Sequence, residues 1–555
     1  MSADAAVPAR PEGVGMRTIV AASSAGTAFE WYDFFVFGTL SAVIGKNFFA
    51  QLDNTAGVLA ALALFGAGFF FRPIGALIFG GMGDKIGRKA AFLVTVSMMG
   101  GATCVIGLLP TYQQAGPIAP ILLILCRIIQ GTALGGEYGG AAIFVAEHAP
   151  ADKRGAHTGW IQTSAAFGLL GALGVIYLTR QTMGEEAFTA ATWTGGWRIP
   201  FLFSAGLLAI SVYMRLKLVE SPTFQKLKDS GQHSHNPYLE SFTKWENLKI
   251  VLMVLVAILS AQGAAWYTAF FYAQVFMERF LKIAPTETNL LMMAMTIASA
   301  PLYVFFAWLS DKVGRKWVMW FGMTLYLVFY FPGFHLLTQL GNPALAEAQA
   351  RTPVVVVADP ATCAFQFDVT GKAAYTTACD IAKASLANAG VSYENQAAPA
   401  GSPTVIRIGT TEVASRAGTG LAPADLKAVK ADVDARIKAA LKAAGYPEKA
   451  DPARVNFLGL FGVLLIFAVA ATALYGPMAS ALVELFPTRI RYTALSLPYN
   501  VGTGWIGGFM PFFGTAIVIA TGNIYSGLWY SVVFTGISVF ACIFLLPETK
   551  GKPID

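Results

Sequence analysis

Charge is scarce in this chain: Asp, Glu, Lys and Arg make up 13% of its 555 residues, while hydrophobic types make up 55%. No soluble fold hides that much apolar surface beneath so few charges, so lipid must be the solvent for most of it. Histidine is rarer still, with five scattered residues. His148 and His157 flank a loop, His233 and His235 form a His-Ser-His in a polar loop, and His335 ends an apolar stretch. No metal-ligand spacing or nucleophile triad emerges, so soluble-enzyme chemistry has little support, and neither metal nor organic cofactor is expected. The N-terminus, MSADAAVPARPEGVGMRT, lacks the apolar core and small-residue cleavage site of a signal peptide. The first apolar helix is therefore expected to direct insertion.

Apolar stretches long enough to cross a bilayer, which takes about 20 residues, recur along the chain. The hydropathy pattern predicts twelve: 17 to 40, 56 to 81, 90 to 110, 118 to 146, 157 to 179 and 197 to 218, then 248 to 277, 287 to 309, 317 to 339, 456 to 483, 492 to 520 and 525 to 546. An even number puts both termini on one side. Assigning them to the cytoplasm gives 20 Lys and Arg in cytoplasmic segments and 5 in the short outside loops; 12 more fall in a long insertion and two, Arg72 and Arg127, inside helices. The net charge of +7 is thus the positive-inside rule and calls for no nucleic acid partner.

The two halves repeat. Gly80-Gly-Met-Gly-Asp84-Lys-Ile-Gly87-Arg88-Lys89 lies between spans two and three, and Ala307-Trp-Leu-Ser-Asp311-Lys-Val-Gly314-Arg315-Lys316 between spans eight and nine, 227 residues on. Tyr138-Gly139 with Glu147 and Arg154 closes span four; Tyr475-Gly476 with Glu484 and Arg491 closes span ten, 337 residues on. A duplication keeps its offset, so about 110 residues are inserted between spans nine and ten. They form the one long polar stretch, 340 to 455, which the topology places outside the membrane. TPVVVVAD and SPTVIRIGTTEV read as strands, and APADLKAVKADVDARIKAALKAAG as an amphipathic helix. Cys363 and Cys379 lie there, where an oxidising compartment lets them pair; Cys104, Cys126 and Cys542 lie in spans as small packing residues. The expected divisions are 1–218, a bundle of six helices; 219–247, a central cytoplasmic loop; 248–339, helices seven to nine; 340–455, the periplasmic insertion; and 456–555, helices ten to twelve.

The doubled G-x-x-x-D-K-x-G-R-K loops and parallel half-repeats resemble the major facilitator superfamily. Phe29-Glu30-Trp31-Tyr32-Asp33-Phe34, Arg72-Pro73-Ile74-Gly75, Arg127-Ile-Ile-Gln130-Gly131 and Glu484-Leu-Phe-Pro-Thr-Arg489-Ile-Arg491-Tyr are similar to its metabolite:proton symporter branch. The resemblance covers all but the insertion. It implies an all-α membrane protein of two six-helix bundles with a small extracytoplasmic α/β insertion between helices nine and ten. It also implies a place in the bacterial inner membrane and small-molecule substrates such as citrate, 2-oxoglutarate, shikimate, proline or betaine.

Ionisable groups inside spans are costly and face a cavity or a partner. At a rise of about 1.5 Å per residue, Asp33 and Arg127 reach similar depths in the outer half of the first bundle and are expected to meet. Protonating the acid would free the Arg, a switch that the resemblance supports, set against a static ion pair. Glu30, three residues earlier on the same face, is the alternative proton carrier. Arg72 and Glu137 lie deeper; they either pair, or Arg72 meets an anionic substrate at the midplane. Aligning Trp31-Tyr32-Asp33 with Trp266-Tyr267-Thr268 puts Thr where the acid was, so proton chemistry is expected in the first half only. Tyr138, Gln262, Tyr267, Tyr272, Gln274, Tyr475, Asn500 and Trp505 supply neutral hydrogen bonds and rings for substrate selection, against ordinary helix packing. Asp84, Arg88, Asp311 and Arg315, with Glu147, Arg154, Glu484 and Arg491, read either as topology-setting charges or, as the resemblance implies, as cytoplasmic latches of an outward-open state.

Together these residues point to uptake of a small polar metabolite driven by protons. An exporter or facilitator on the same fold, and a sensor that binds ligand through 340 to 455, are the alternatives. The insertion has three further readings: shaping access to the outer mouth, docking a periplasmic partner, or folding as a tolerated surface domain. Arg72 and Arg127 favour an organic anion, whereas the rings of Trp31, Trp266, Tyr267 and Trp505 suit a quaternary ammonium.

Overall fold

The structure is a computed structural model and describes residues 15–49, 54–217, 220–231, 234–364 and 376–554; His233 and most of the N-terminal segment lie outside them. Twelve long helical units stand where the hydropathy pattern puts the spans. In the first half they are Met16–Thr39, Asn54–Lys85, Arg88–Leu108, Ile118–His148, Arg154–Met183 and Arg198–Leu216. In the second they are Trp245–Phe280, Pro285–Val313, Arg315–Gly341, Phe457–Leu485, Arg491–Thr521 and Leu528–Phe544. They are called spans one to twelve below. Among the described residues nine of these are long and apolar enough to cross a membrane, and Leu528–Phe544 is a shorter apolar helix. The protein is a multi-pass membrane protein whose lipid-facing Leu, Ile, Phe and Trp side chains are exposed.

The chain turns sharply where its duplicated loop requires it. Gly87 has φ 140° and Gly314 has φ 113°, a region in which a side chain would clash. The carboxylate of Glu220 lies beside the first and that of Glu548 beside the second. Within each bundle small residues let helices touch. A Cβ on Gly131 would lie 2.3 Å from the Gly68 carbonyl oxygen, and one on Gly135 2.2 Å from that of Arg72, so spans four and two meet along a Gly-x-x-x-Gly seam.

Among the described residues, two spans contain π turns. Span seven contains three wide π turns, Leu255–Leu259, Thr268–Tyr272 and Phe276–Phe280, and span eleven one, Asn500–Gly507. Such turns rotate the residues that follow and free backbone groups, and they gather at functional sites. Spans seven and eleven touch there: a Cβ on Gly263 would fall 2.1 Å from the Gly502 carbonyl oxygen.

The insertion holds a four-stranded sheet of β1 (Val354–Ala358), β2 (Glu394–Ala397), β3 (Val405–Ile408) and β4 (Thr411–Ala414) in the order β2-β1-β3-β4. β1 pairs with β2 in parallel and with β3 antiparallel, and β3 continues into β4 through a tight hairpin. Three helices accompany the sheet, Pro343–Arg351, Ala378–Ala389 and Pro423–Ala443. Of these the sequence patterning anticipates the last alone, since the short Ala378–Ala389 has too few turns to show a period. Cys363 and Cys379 are joined in a disulfide with Cα atoms 5.2 Å apart. The domain rests on the second bundle: Tyr393 N–H donates to the Gly522 carbonyl at 2.7 Å, the Asn395 side chain to that of Thr521 at 2.8 Å, and Ala450 N–H to that of Lys282 at 3.1 Å.

Candidate functional site

Span one brings two acids to the bundle interior, and the structure gives them separate partners. Glu30 is paired with Arg215 of span six at 3.0 Å, and the guanidinium lies over the Phe92 ring. Asp33 accepts a hydrogen bond from the Ser204 hydroxyl, also of span six, and the Thr103 hydroxyl faces the same carboxyl. The direct Asp33–Arg127 pair expected from depth is not formed: no ion pair of the described residues joins them. Arg127 donates to Gln130 at 2.8 Å and lies 4.1 Å from the Phe37 ring centre, and Gln130 donates to Thr103 at 2.7 Å. Thr103 and Gln130 therefore stand between acid and base. Equal depth does not fix rotation about the helix axis, and that is where the expectation failed.

The second half repeats the contact without the acid. Thr268, the counterpart of Asp33, hydrogen-bonds Ser531 of span twelve at 2.5 Å, as Asp33 bonds Ser204 of span six. Trp31 and its counterpart Trp266 face each other across the two bundles with ring centres 6.3 Å apart.

Below these rings an aromatic cluster spans the interface. Tyr138 of span four stacks on Tyr499 of span eleven at 3.9 Å and lies 6.2 Å from Tyr475 of span ten. The Tyr475 and Tyr499 hydroxyls are 3.1 Å apart, Gln162 donates to the Tyr138 hydroxyl, and Trp266 Nε1 donates to the Tyr303 hydroxyl. Arg72 enters from span two. Its Nε donates to Asn500 at 2.9 Å, and Phe69 and Tyr499 flank the guanidinium. Asn500 opens the π turn of span eleven and also donates to the Gly135 carbonyl at 2.7 Å, so it ties spans two, four and eleven together. The alternative of an Arg72–Glu137 pair is therefore replaced by Arg72–Asn500. Glu137 is buried with Oε1 free of any hydrogen bond among the described residues, as is Oε1 of Gln262.

Other candidates fall elsewhere. Tyr267 packs against Phe69 at the interface. Tyr272 instead lies inside the second bundle against Phe276 and Phe334. Trp505 stacks on the exposed Phe70 at the rim and is itself 38% exposed. Gln274 bonds Glu278 and Asn289 near the end of span seven.

At the opposite end from the insertion, the duplicated charges interlock across the bundles with two-fold pseudosymmetry. Asp84 of the first half accepts from Tyr492 and Thr493 N–H at the start of span eleven, at 3.2 and 2.8 Å. Asp311 of the second accepts from Gly155 and Ala156 N–H at the start of span five, both at 2.8 Å. Each acid thus caps a helix N-terminus of the other bundle, where the dipole favours it. Glu147 lies 2.7 Å from Arg491 and 3.9 Å from Arg88, and Glu484 lies 2.8 Å from Arg154 and 3.3 Å from Arg315. Arg88 and Arg315 also bond Asp84 and Asp311, at 2.9 and 2.5 Å. This end of the molecule is closed, with the ion pairs buried.

Sequence reasoning missed Arg215, Tyr303, Tyr499, Glu220 and Glu548. Glu220 accepts from Lys89 N–H and Glu548 from Arg315 and Lys316 N–H, so both cap the helix that follows the duplicated loop. Their signal was present as a third repeat, Glu220-Ser-Pro and Glu548-Thr-Lys after the last span of each half. Arg215 sits at the end of span six, where a cation reads as one more topology charge.

Comparison with known proteins agrees with this architecture. The family described as "Sugar (and other) transporter" matches residues 18–234 and 440–555, and "Major Facilitator Superfamily" matches 254–346; neither reaches residues 347–439. The chain is 27% identical over 549 residues to the glycine betaine/proline/ectoine/pipecolic acid transporter OusA of Dickeya dadantii, covering 97% of this chain and 85% of the relative. It is 36% identical over 323 residues to the shikimate transporter of Escherichia coli, covering 57% and 71%. Its fold is similar to that of the proton:xylose symporter XylE, with a TM-score of 0.58 at 17% identity over 97% of each chain. The chain belongs to the sugar (and other) transporter family of the major facilitator superfamily, a family of transporters and not of enzymes.

Proposed function

We propose that this protein is a proton-coupled symporter that imports a small zwitterionic metabolite of the betaine or proline type by alternating access. The observation that carries the reading is the pairing, at one interface, of a guanidinium with a wall of rings. Arg72 suits a substrate carboxylate, and the Tyr138, Tyr475, Tyr499 and Trp266 rings suit a quaternary or secondary ammonium. A substrate carboxylate would compete with Asn500 for Arg72. Binding would thereby loosen one tie between spans two and eleven, which is how occupancy can reach the moving parts.

Asp33 is the proposed proton site, with Glu30 as its rival. Asp33 faces neutral hydroxyls and, among the described residues, forms no ion pair with a cation; it can therefore exchange a proton without breaking one. Protons are the proposed coupling ion, with Arg127 acting through Gln130 and Thr103. The closed, charge-rich end is proposed to face the cytoplasm of a bacterial inner membrane, with both termini on that side; the disulfide in the insertion supports an oxidising compartment opposite.

The test is counterflow in proteoliposomes with betaine, proline, shikimate, citrate and 2-oxoglutarate, alongside a pH-sensitive dye in the lumen. Betaine or proline should exchange in counterflow, and added outside proteoliposomes that hold no substrate it should acidify the lumen. Exchange of shikimate or citrate alone would overturn the substrate class, and exchange without acidification would overturn the coupling.

A further inference from the structure

The insertion carries a cavity that the transport reading does not use. About 730 Å³ in volume, it lies between the helices Ala378–Ala389 and Pro423–Ala443 and reaches the end of span seven. Its size is that of a metabolite site. Its walls are chemically divided. Ile381, Leu441 and Tyr446, all buried, give an apolar floor, while Lys282, Lys427, Lys430, Lys438, Lys442 and Lys449 ring it. Three carboxylates share the lining and each already has a partner. Asp380 accepts from Ala364 N–H at 2.8 Å, Asp434 pairs with Lys438 at 2.6 Å and Glu448 with Lys442 at 3.3 Å. The surplus is three positive charges, and Lys427 and Lys430 have no ion pair among the described residues.

Lys282 joins this cavity to the transporter. It lies two residues beyond span seven and is, among the described residues, the one non-glycine with positive φ, at 58°. A long side chain holds that conformation only where its surroundings impose it. Burial, with the like charges of Arg279 and Lys438, pushes its ammonium down to about 8 against the opposing pull of Asp434, so an anion set beside it is favoured. Its carbonyl accepts from Ala450 N–H, so the backbone just beyond span seven is bonded to the residue next to Lys449 of the cavity wall.

We infer that the insertion is a binding domain for an amphipathic organic anion of metabolite size, its phosphate or carboxylate groups on the lysine rim and its apolar part on the Ile381–Leu441–Tyr446 floor. The inference does not depend on which substrate the bundles carry. The anion has two sources, a free metabolite or the headgroup of an acidic lipid beside span seven, and both present the same chemistry to the lysines.

The experiment is titration calorimetry on the purified full-length protein in neutral detergent, with 1-naphthyl phosphate, inorganic phosphate and potassium chloride matched for ionic strength. Naphthyl phosphate should bind saturably and at least about 10-fold more tightly than inorganic phosphate, the difference expected for burying a ring. Lys427→Gln with Lys430→Gln, both at the exposed rim, should weaken it by about 10-fold or more while leaving thermal stability unchanged. Repeating the titration in nanodiscs separates the sources. Competition by phosphatidylglycerol that disappears in the double variant identifies a headgroup, and equal affinity in phosphatidylglycerol and phosphatidylcholine identifies a free anion. Binding no stronger than the chloride control, or equal affinity in the double variant, would overturn the inference.

Discussion

Glu30 and Asp33 stand one helical turn apart on span one, and their neighbours divide the labour between them. Glu30 is locked to Arg215, so removing either partner strands a buried charge, at a cost of about 3–5 kcal/mol. Glu30→Gln and Arg215→Met should each lower the thermal midpoint by several degrees. The double variant should recover part of the loss, a coupling readable by a double-mutant cycle in detergent. Asp33→Asn should behave differently. Its partner Ser204 can still bond an amide, so the protein should remain folded and exchange substrate in counterflow, while accumulation against a gradient falls to near equilibrium. Wild-type accumulation in Asp33→Asn would move the proton to Glu30. Spacing within the sequence showed both acids but not which was already committed, because that depends on Arg215, 185 residues away in the chain.

At the scale of elements, contact between spans rests on missing side chains. Gly135→Leu would drive a branched side chain into the span two backbone, and overpacking of this kind costs about 1–3 kcal/mol or more. A lower midpoint in a fluorescence-detected sizing assay should follow, whereas Gly101→Leu, whose site is open, should be neutral. The apolar helices were legible because hydropathy and duplication are linear signals. The π turns were not, since no periodicity in the sequence marks them, and Tyr272 takes the ordinary packing role that was the alternative for it. The insertion is also separable. Asn456 N–H donates to the Leu340 carbonyl at 2.9 Å, so its two ends meet and a short Gly/Ser linker can replace residues 345 to 450. Transport should persist in that deletion, measured as substrate-driven proton uptake at matched expression, because the bundles are complete without it. Loss of all transport would make the domain part of the mechanism.

For the whole molecule the closed end is the determinant of state. Arg88→Ala with Arg315→Ala removes one cation from each half of the interlock, so the population should shift toward opening at that end. Cysteine labelling of positions beside Asp84 should rise several-fold and labelling of the opposite mouth should fall; unchanged labelling would reduce these residues to topology charges. The insertion does not cross the divide by the contacts described, since it is bonded to spans seven and eleven of one bundle, and it rides with that half when the two part. Sharing of acids at the closed end has a further effect. Glu147 and Glu484 each answer to two arginines, one from their own bundle and one from the other. When the bundles separate, Arg491 and Arg154 lose the carboxylate they reach across the interface, while Glu147 and Glu484 keep the arginine of their own bundle. Opening at this end therefore exposes two arginines, one on each bundle, and spares both glutamates, so water reaching Arg154 and Arg491 is part of what the open state requires.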